Sequence, residues 1–179
     1  MSLHVMIDIE TLGTKPGAAL ISLGAVKFDP NTDDEMDKFY TAIDPESCTR
    51  HGLRIDAATV MWWMHDDRAE ARKQLMSEKQ LDLVTALYGF SEWFGKESLP
   101  VWGNGATFDN VLLRIAFEAT GIDPPWKYHH DRCYRTLKSL VPSSAIIAPA
   151  NTIEHHALND AVFQAEYLRK VWQMLDVVI

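Results

Sequence analysis

Cysteine is scarce in this sequence, with two residues among 179, and so few thiols exclude a fold held together by a disulfide framework. No apolar run approaches the roughly 18 residues that a membrane-spanning helix needs. Positive charge is also in short supply, because 17 Lys and Arg stand against 25 Asp and Glu, for a net charge of −8. This balance argues against a protein that binds duplex nucleic acid through a broad basic surface. It leaves open an enzyme that gathers acidic side chains around divalent cations.

The residues that are present are those of a globular protein, with 47% hydrophobic and 23% charged side chains. At roughly 150 residues per domain, a chain of 179 residues corresponds to about one domain, so we expect residues 1–179 to form a single domain. The first 14 residues contain no Lys or Arg, and a secretory signal peptide is therefore not expected. Together with the low cysteine content, this predicts a reduced, cytoplasmic protein.

The order of apolar and polar segments predicts an α/β fold built on a mixed sheet. Three segments joined by short turns predict an antiparallel meander of strands, at residues 3–9, 19–28 and 38–43. Helical spacing and turn residues then predict further elements, with helices at 56–64, 81–94, 107–119, 136–140 and 157–175, strands at 99–102 and 128–133, and a loop at 142–149. Asp56 and Thr107 are the expected N-caps, and Gly121 is the expected helix stop. Interleaved strands and helices place helices on the faces of the sheet.

Two acidic residues stand at the end of the first predicted strand. Asp8 and Glu10 are two positions apart, so their side chains point to the same face, about 6.5–7 Å apart along the chain. A divalent cation would offset the cost of burying them, and two solvated acids at an exposed strand end are the alternative. Asp109 follows a Gly-rich turn and stands in the first turn of a predicted helix. The two glycines would let a ligand approach this turn closely. The alternative is an ordinary acid that the helix dipole favours at a helix start.

His155 and Asp160 stand at the start of the last predicted helix. Asp160 lies inside the helix, and His155 lies on a segment that can bend toward the acids. Taken alone, polar residues at a helix start are ordinary. The ordered combination is much more specific: Asp-x-Glu at a strand end, a later Asp at a helix start, and His-x-Ala-x-x-Asp near the C-terminus.

This combination resembles the DnaQ-like 3′–5′ exonucleases of the DEDDh type, which have a ribonuclease H-like fold. Residues 8–11 are similar to the first motif, residues 104–109 to the second and residues 155–160 to the third. The second motif and residues 60–64 are most similar to the exodeoxyribonuclease VIII-like/Rv2179c-like branch. Many relatives have His where this chain has Gly103, followed by one residue fewer, so we expect a differently shaped substrate pocket.

The resemblance implies hydrolysis of phosphodiester bonds with two Mg²⁺ or Mn²⁺ ions in each active site. Such ions activate a water, neutralise charge on the phosphate and stabilise the leaving oxygen, and they prefer oxygen ligands. The implied metal ligands, with the first as the bridge, are the acids Asp8, Glu10, Asp109 and Asp160. His155 is the implied general base, and His156 is the alternative, although its spacing to the last acid does not fit the motif. The products would be nucleoside 5′-monophosphates released from a 3′ end.

Substrate contacts are also implied near the acids. In relatives, the stretch that matches Thr11, Leu12 and Gly13 lies along the terminal nucleotide, whereas a plain exit from the strand is the alternative here. Asn104 belongs to the second motif and is a further expected contact. Phe108 packs either against the terminal base or sugar or in the core.

Aromatic and basic residues offer further contacts. Trp62 and Trp63 are adjacent and cannot both face the core fully from one helix. One of them is a candidate platform for stacking a base, and the alternative is that both pack between helix and sheet. Arg132, Arg135 and Lys138 form a small basic cluster that either meets the substrate backbone or is solvated surface.

We therefore expect a metal-dependent enzyme that acts on the 3′ ends of single-stranded nucleic acid, with DNA favoured over RNA. A 3′–5′ exoribonuclease of the same mechanism and a non-catalytic nucleic-acid-binding protein on the same fold are the alternatives. Discrimination of RNA rests on contacts to the 2′-hydroxyl, and no residue in the sequence indicates one. A membrane partner is not expected, and the apolar last helix would permit a homodimer.

Overall fold

A six-stranded mixed sheet forms the centre of the computed structural model, which describes residues 2–142, 144, 146 and 155–175. The strands are β1 (His4–Thr11), β2 (Leu20–Phe28), β3 (Asp37–Ile43), β4 (Gln80–Leu81), β5 (Val101–Gly103) and β6 (Asp131–Cys133). Their order is β4-β3-β2-β1-β5-β6. The first three strands form the predicted antiparallel meander, whereas β5 is parallel to β1 and β6 is parallel to β5. The predicted mixed sheet is confirmed.

Seven α-helices are described, and they connect and cover the strands. They are α1 (Pro45–Arg50), α2 (Ala57–Trp63), α3 (Ala69–Ser77), α4 (Leu83–Phe94), α5 (Asp109–Thr120), α6 (Tyr134–Lys138) and α7 (Ala157–Met174). Short 3-10 helices precede α3 and β6, at Asp66–Arg68 and Tyr128–His130. Of the loop predicted at 142–149, residues 143, 145 and 147–149 lie outside the described residues. Among the described helices, none is both long and apolar enough to cross a membrane.

Several predicted boundaries are wrong for local physical reasons. Thr107 does not cap α5, because the Phe108 amide donates to the Gly105 carbonyl at 2.7 Å and a separate tight turn delays the helix start. The predicted start of α4 is too early, since Gln80–Leu81 pairs with the end of β3 as β4. The segment predicted as the strand 128–133 begins with a 3-10 turn. The expected N-cap Asp56 and the left-handed C-cap Gly121 are confirmed.

Alternation along β1 sorts its side chains between two helical layers. Val5, Ile7 and Ile9 pack in one core cluster with apolar residues of α4 and α5. Met6 packs in a second cluster with apolar residues of α7. Asp8 continues the face of Met6, so the first acid of the strand lies on the α7 side of the sheet.

A glycine lets α7 cross the sheet beside that acid. Gly24 on β2 is the register partner of Asp8 on β1. A Cβ atom built on Gly24 would lie 2.2 Å from the backbone of Ala157 and Leu158, well inside van der Waals contact. The start of α7 therefore rests directly on the backbone of β2, next to the end of β1.

Candidate active site

The acids predicted from the sequence converge at one edge of the sheet. β1 and β5 run parallel, and the carboxyl ends of parallel strands meet at the same edge. Asp8 and Glu10 stand near the end of β1, and Asp109 is the first residue of the helix that follows β5. These three acids and Asp160 face an open cleft of about 460 Å³. Its lining is completed by Ile9, Asn104, Phe108, Tyr134, Arg135, Lys138, His155, Phe163 and Gln164.

Gly103 brings Asp109 close to the end of the sheet. A Cβ atom on Gly103 would lie 2.3 Å from Asn110 Oδ1 and 2.9 Å from Asp109 Cβ. Only glycine therefore lets α5 start this close to β5. The departure from the usual second motif at this position therefore has a structural cause: Gly103 is the last residue of β5, where the first residues of α5 leave no room for a side chain.

Helix α7 supplies Asp160 and, one turn later, a glutamine that the sequence analysis missed. Gln164 Nε2 donates a hydrogen bond of 2.8 Å to Asp8 Oδ1. Gln164 is buried, and within the described part of the chain its Oε1 atom has no hydrogen-bond partner. The spacing of four residues from Asp160 places both side chains on one face of the helix, which is the signal that could have found Gln164.

His155 enters the cleft through an unusual backbone conformation. Its φ angle is +62°, in the left-handed region that non-glycine residues rarely adopt. Its backbone N–H donates to Asp160 Oδ2 at 3.0 Å, and this bond ties the bend to the first turn of α7. Ligand atoms of Glu10, His155 and Asp160 lie within 4.8 Å of one another. The imidazole therefore stands among the acids.

His156, the alternative base, points elsewhere. It is buried, and its ring stacks on Tyr40 with 4.6 Å between ring centroids. Its Nδ1 accepts from the backbone N–H of Asn159 at 3.4 Å, so the side chain caps α7. Burial lowers its pKa, against the opposing influence of the Asp160 carboxylate. These contacts describe a residue that holds the helix start.

Burial, together with repulsion between carboxylates at Asp8 and Glu10, raises the pKa values of the clustered acids. Burial, followed by the carboxylates of Asp160 and Asp109, raises the pKa of Glu10 to about 8. Burial raises the pKa of Asp109 to about 7, although backbone hydrogen bonds, including one from Ile9, and the nearby Arg135 oppose the rise. Burial and the neighbouring acids also raise the pKa of Asp8 well above its ordinary value, whereas the hydrogen bond from the Gln164 amide lowers it.

These residues fit a divalent cation that prefers oxygen ligands. Four carboxylates and one imidazole face the same cleft. Burial raises the pKa values of Asp8, Glu10 and Asp109, and repulsion from neighbouring carboxylates adds to the rise at Asp8 and Glu10. A positive ion would remove that repulsion and favour the ionised forms. The donor set suits Mg²⁺ or Mn²⁺ better than a thiolate-binding metal.

A second cleft of about 370 Å³ adjoins the first and shares Ile9, Glu10 and Phe108 with it. Its other lining residues are Thr11, Thr14, Asp56, Ala58, Thr59, Trp62 and Trp63. Of the predicted substrate contacts, Thr11 lines this second cleft. Leu12 packs beside Ile21 and Trp63, and Gly13 lines a further pocket with Lys15 and Arg54.

The two tryptophans have different environments. Trp63 is 5% exposed, and its Nε1 donates to the Thr11 carbonyl at 3.0 Å. Trp62 is 37% exposed, and its ring lies 5.0 Å from the His155 ring in an edge-to-face arrangement. The Arg68 guanidinium lies 3.7 Å from the centroid of the Trp62 ring. Trp63 therefore anchors the second cleft, while Trp62 stands at its mouth.

The predicted basic cluster divides into two parts. Arg135 and Lys138 line the acidic cleft, and an Arg135 N–H donates to the Asn104 carbonyl at 2.8 Å. Arg132 instead turns back onto its own chain, where it donates to the carbonyls of His129 and Asp131 at 2.9 and 3.0 Å.

Comparisons with known proteins agree with this geometry. A family model described as the 3′-5′ exoribonuclease Rv2179c-like domain matches residues 3–172. An exodeoxyribonuclease of Enterobacteria phage T4 is 26% identical over 119 residues, which cover 60% of this chain and 52% of the phage protein.

Solved structures of E. coli exonuclease I have a similar fold. The zinc-bound complex with single-stranded DNA is 18% identical, with a TM-score of 0.64 over 98% of this chain and 41% of that protein. The complex with a 5cy-dA13 oligonucleotide has the same identity and TM-score over 97% of this chain and 41% of that protein. The chain thus spans about half the length of the phage relative and about two fifths of exonuclease I.

Proposed function

The chain belongs to the family of the 3′-5′ exoribonuclease Rv2179c-like domain and has a ribonuclease H-like fold, and from this premise we propose that it is a metal-dependent 3′–5′ exonuclease. Its substrate is single-stranded nucleic acid with a free 3′ end. Its products are nucleoside 5′-monophosphates.

The observation that carries this proposal is the joint placement of four acids and one histidine in a single cleft. They come from three separate parts of the chain: the end of β1, the start of α5 and the start of α7. A fold that merely bound nucleic acid would gain nothing from a repulsive carboxylate cluster facing a phosphate backbone. The cluster becomes useful when divalent cations join the two.

The residues that would hold two Mg²⁺ or Mn²⁺ ions are Asp8, Glu10, Asp109 and Asp160. When bound, such ions supply Lewis-acid stabilisation of the phosphate and of the leaving oxygen. Gln164 has a positioning role, because its hydrogen bond to Asp8 Oδ1 holds that carboxylate in one orientation. Because the pKa values of Glu10 and Asp109 are raised, these carboxyl groups must lose protons before they can bind a metal ion. We therefore expect activity to rise with pH up to about pH 8.

His155 is the general base in this proposal. Its ring stands next to Glu10 and Asp160, and a neutral imidazole at that place can accept a proton from an attacking water at Nδ1 or Nε2. The bond from its own backbone to Asp160 and the neighbouring Trp62 ring orient the imidazole. His156 is occupied by capping α7.

The terminal nucleotide is assigned to the second cleft, between Thr11 and the tryptophans. Phe108 borders both clefts and lies between the terminal sugar and the acids. Trp62, at the mouth, offers an aromatic surface to a base. Asn104 faces the acidic cleft, where we place it beside the scissile phosphate.

Single-stranded DNA is our preferred substrate, in keeping with the phage exodeoxyribonuclease and with the exonuclease I complexes. RNA is the second candidate, because the matching family model is described as an exoribonuclease domain. The two differ at the 2′-hydroxyl, which a protein must contact to tell them apart.

A time course on matched strands tests the proposal. DNA and RNA of the same sequence carry a 5′ label and are incubated with Mg²⁺, Mn²⁺ or EDTA. A ladder that shortens stepwise from the 3′ end and is abolished by EDTA is expected, and the faster ladder identifies the preferred sugar. The Asp160→Ala variant is the matched inactive control. An uncut strand with either metal, or internal cuts, would refute the proposal.

A further inference from the structure

Two cations stand on the wall of the acidic cleft that lies away from the tryptophans. Arg135 and Lys138 line this cleft, whereas Trp62 and Trp63 line the adjoining one. Arg135 and Lys138 both belong to α6 and are three residues apart, so they lie on one face of that helix. The acid cluster lies between them and the tryptophans, since Glu10 borders both clefts.

Both cations are held in place by contacts around the cleft. The Arg135 guanidinium donates to the Asn104 carbonyl and lies over Gly105, where even an added Cβ would be 3.5 Å from its central carbon. Lys138 Nζ is 4.9 Å from the ring centroid of Tyr167 and 5.9 Å from that of Tyr134. A side chain held by fixed carbonyl and aromatic partners loses less freedom when it binds an anion.

We infer that Arg135 and Lys138 bind the phosphodiester group immediately upstream of the scissile one. This inference rests on the proposed function, in which the terminal nucleotide occupies the cleft of Trp62 and the scissile phosphate lies at the acids. The rest of the strand must then leave across the opposite wall, where these two cations stand. Arginine has five N–H donors in a planar fork that matches phosphate oxygens, and the bond to Asn104 uses only one of them.

A preference for substrates with at least two phosphodiester groups follows. An ester of a single nucleotide presents the scissile phosphate alone and reaches only the acids. An oligonucleotide also reaches Arg135 and Lys138. The enzyme therefore has a higher kcat/KM for oligonucleotides than for nucleotide esters, and the contacts of these two side chains account for the difference.

The experiment compares two substrates in four proteins. The substrates are a single-stranded trinucleotide and the p-nitrophenyl ester of thymidine 5′-monophosphate. The trinucleotide is DNA or RNA, whichever the enzyme degrades faster in the time course. The proteins are the wild type, Arg135→Gln, Lys138→Gln and the control Arg132→Gln, whose arginine contacts only backbone carbonyls among the described residues. The readout is the ratio of kcat/KM for the trinucleotide to kcat/KM for the ester.

We expect the ratio to fall by about 10-fold in Arg135→Gln and in Lys138→Gln, the scale of one charge-assisted hydrogen bond, and to stay at the wild-type value in Arg132→Gln. Arg135→Lys should recover part of the loss, because it keeps the charge without the fork. Equal losses on both substrates, or an unchanged ratio, would overturn the inference. Melting temperatures identify any variant whose loss comes from unfolding.

A binding measurement separates failure of this inference from failure of the proposed function. Anisotropy of a labelled oligonucleotide gives the slope of log affinity against log salt, which decreases by about 0.7 for each lost phosphate contact on a single strand. A smaller slope in Arg135→Gln and Lys138→Gln supports the phosphate contacts even if the wild type cleaves neither substrate. An unchanged slope overturns them whatever the activity.

Discussion

Replacing Glu10 with glutamine should stabilise the metal-free protein at alkaline pH. Burial and the carboxylates of Asp160 and Asp109 raise the pKa of Glu10 from 4.5 to about 8. A carboxyl whose pKa is higher in the folded than in the unfolded state binds more protons when folded between those two values. Folding free energy is therefore lost as pH rises across that window, and it is fully retained only below the unfolded pKa.

The size of the effect follows from the same values. One pKa unit corresponds to about 1.36 kcal/mol, so the rise from 4.5 to about 8 sets an upper bound of about 5 kcal/mol at alkaline pH. Glu10 lines an open cleft, so solvent screening reduces this cost. We expect a stabilisation of about 1–2 kcal/mol in Glu10→Gln, or about 2–8 °C in Tm for a chain of this length.

Thermal denaturation in EDTA at about pH 5 and about pH 8 measures this difference. Glu10→Gln should melt above the wild type at the higher pH and close to it at the lower pH, where Glu10 is mostly protonated. Glu118→Gln, an exposed position on α5, is the matched control and should follow the wild type at both. Mn²⁺ should stabilise the wild type more than Glu10→Gln at about pH 8. A variant that gains nothing at the higher pH would refute the electrostatic account of the cluster.

Three further predictions concern the histidines, the sheet crossing and the tryptophans. His155→Ala should lower kcat by about 10²–10⁴-fold with little change in Tm, whereas His156→Ala should mainly lower Tm because His156 caps α7. Kinetics and melting curves that show the reverse would contradict both roles. Gly24→Ala should lower the free energy of unfolding by several kcal/mol or prevent folding, since its Cβ would lie 2.2 Å from the α7 backbone. The control Gly89→Ala, whose Cβ would meet Phe39 at 3.8 Å, should be tolerated or stabilising, and equal melting temperatures for the two variants would count against the crossing. Trp62→Ala should weaken oligonucleotide binding by about 1–3 kcal/mol, and Trp63→Ala should lower the free energy of unfolding by about 3–5 kcal/mol. If titrations and denaturant curves show that both variants lose only stability, both residues belong to the core.

The meander and the positions of the main chemical groups were predictable from the sequence because they depend on local order. Period-two alternation in β1 places Asp8 and Glu10 on one face, and the cleft contains both. The spacing of the last motif places Asp160 and His155 at the start of one helix, and they lie there. Their catalytic roles stay predictions.

Long-range geometry explains what the sequence did not reveal. Gln164 has the composition of an ordinary helical residue, and its importance arises from a contact with Asp8, 156 positions away in the chain. Strand β4 has two residues and exists only because β3 offers an edge for pairing. The side chain of Asp44 caps α1 and accepts hydrogen bonds from two backbone amides. The sequence did not predict this short helix.

The two tryptophans illustrate the same limit. Their adjacency indicated that one must differ from the other, but helical periodicity alone could not say which. The structure buries Trp63 because its indole N–H reaches the carbonyl at the end of β1. Trp62 is left beside His155, where it borders the candidate site.

Identification of the first released product tests the central claim most directly. A single-stranded oligonucleotide with a chemically distinct nucleotide at each end is incubated briefly with the protein and Mn²⁺, and the small products are identified by mass spectrometry. Our account predicts that the 3′-terminal nucleotide appears first as its 5′-monophosphate, and that Asp8→Ala releases none. Release of the 5′-terminal nucleotide, of a 3′-phosphorylated nucleoside or of internal fragments would contradict it.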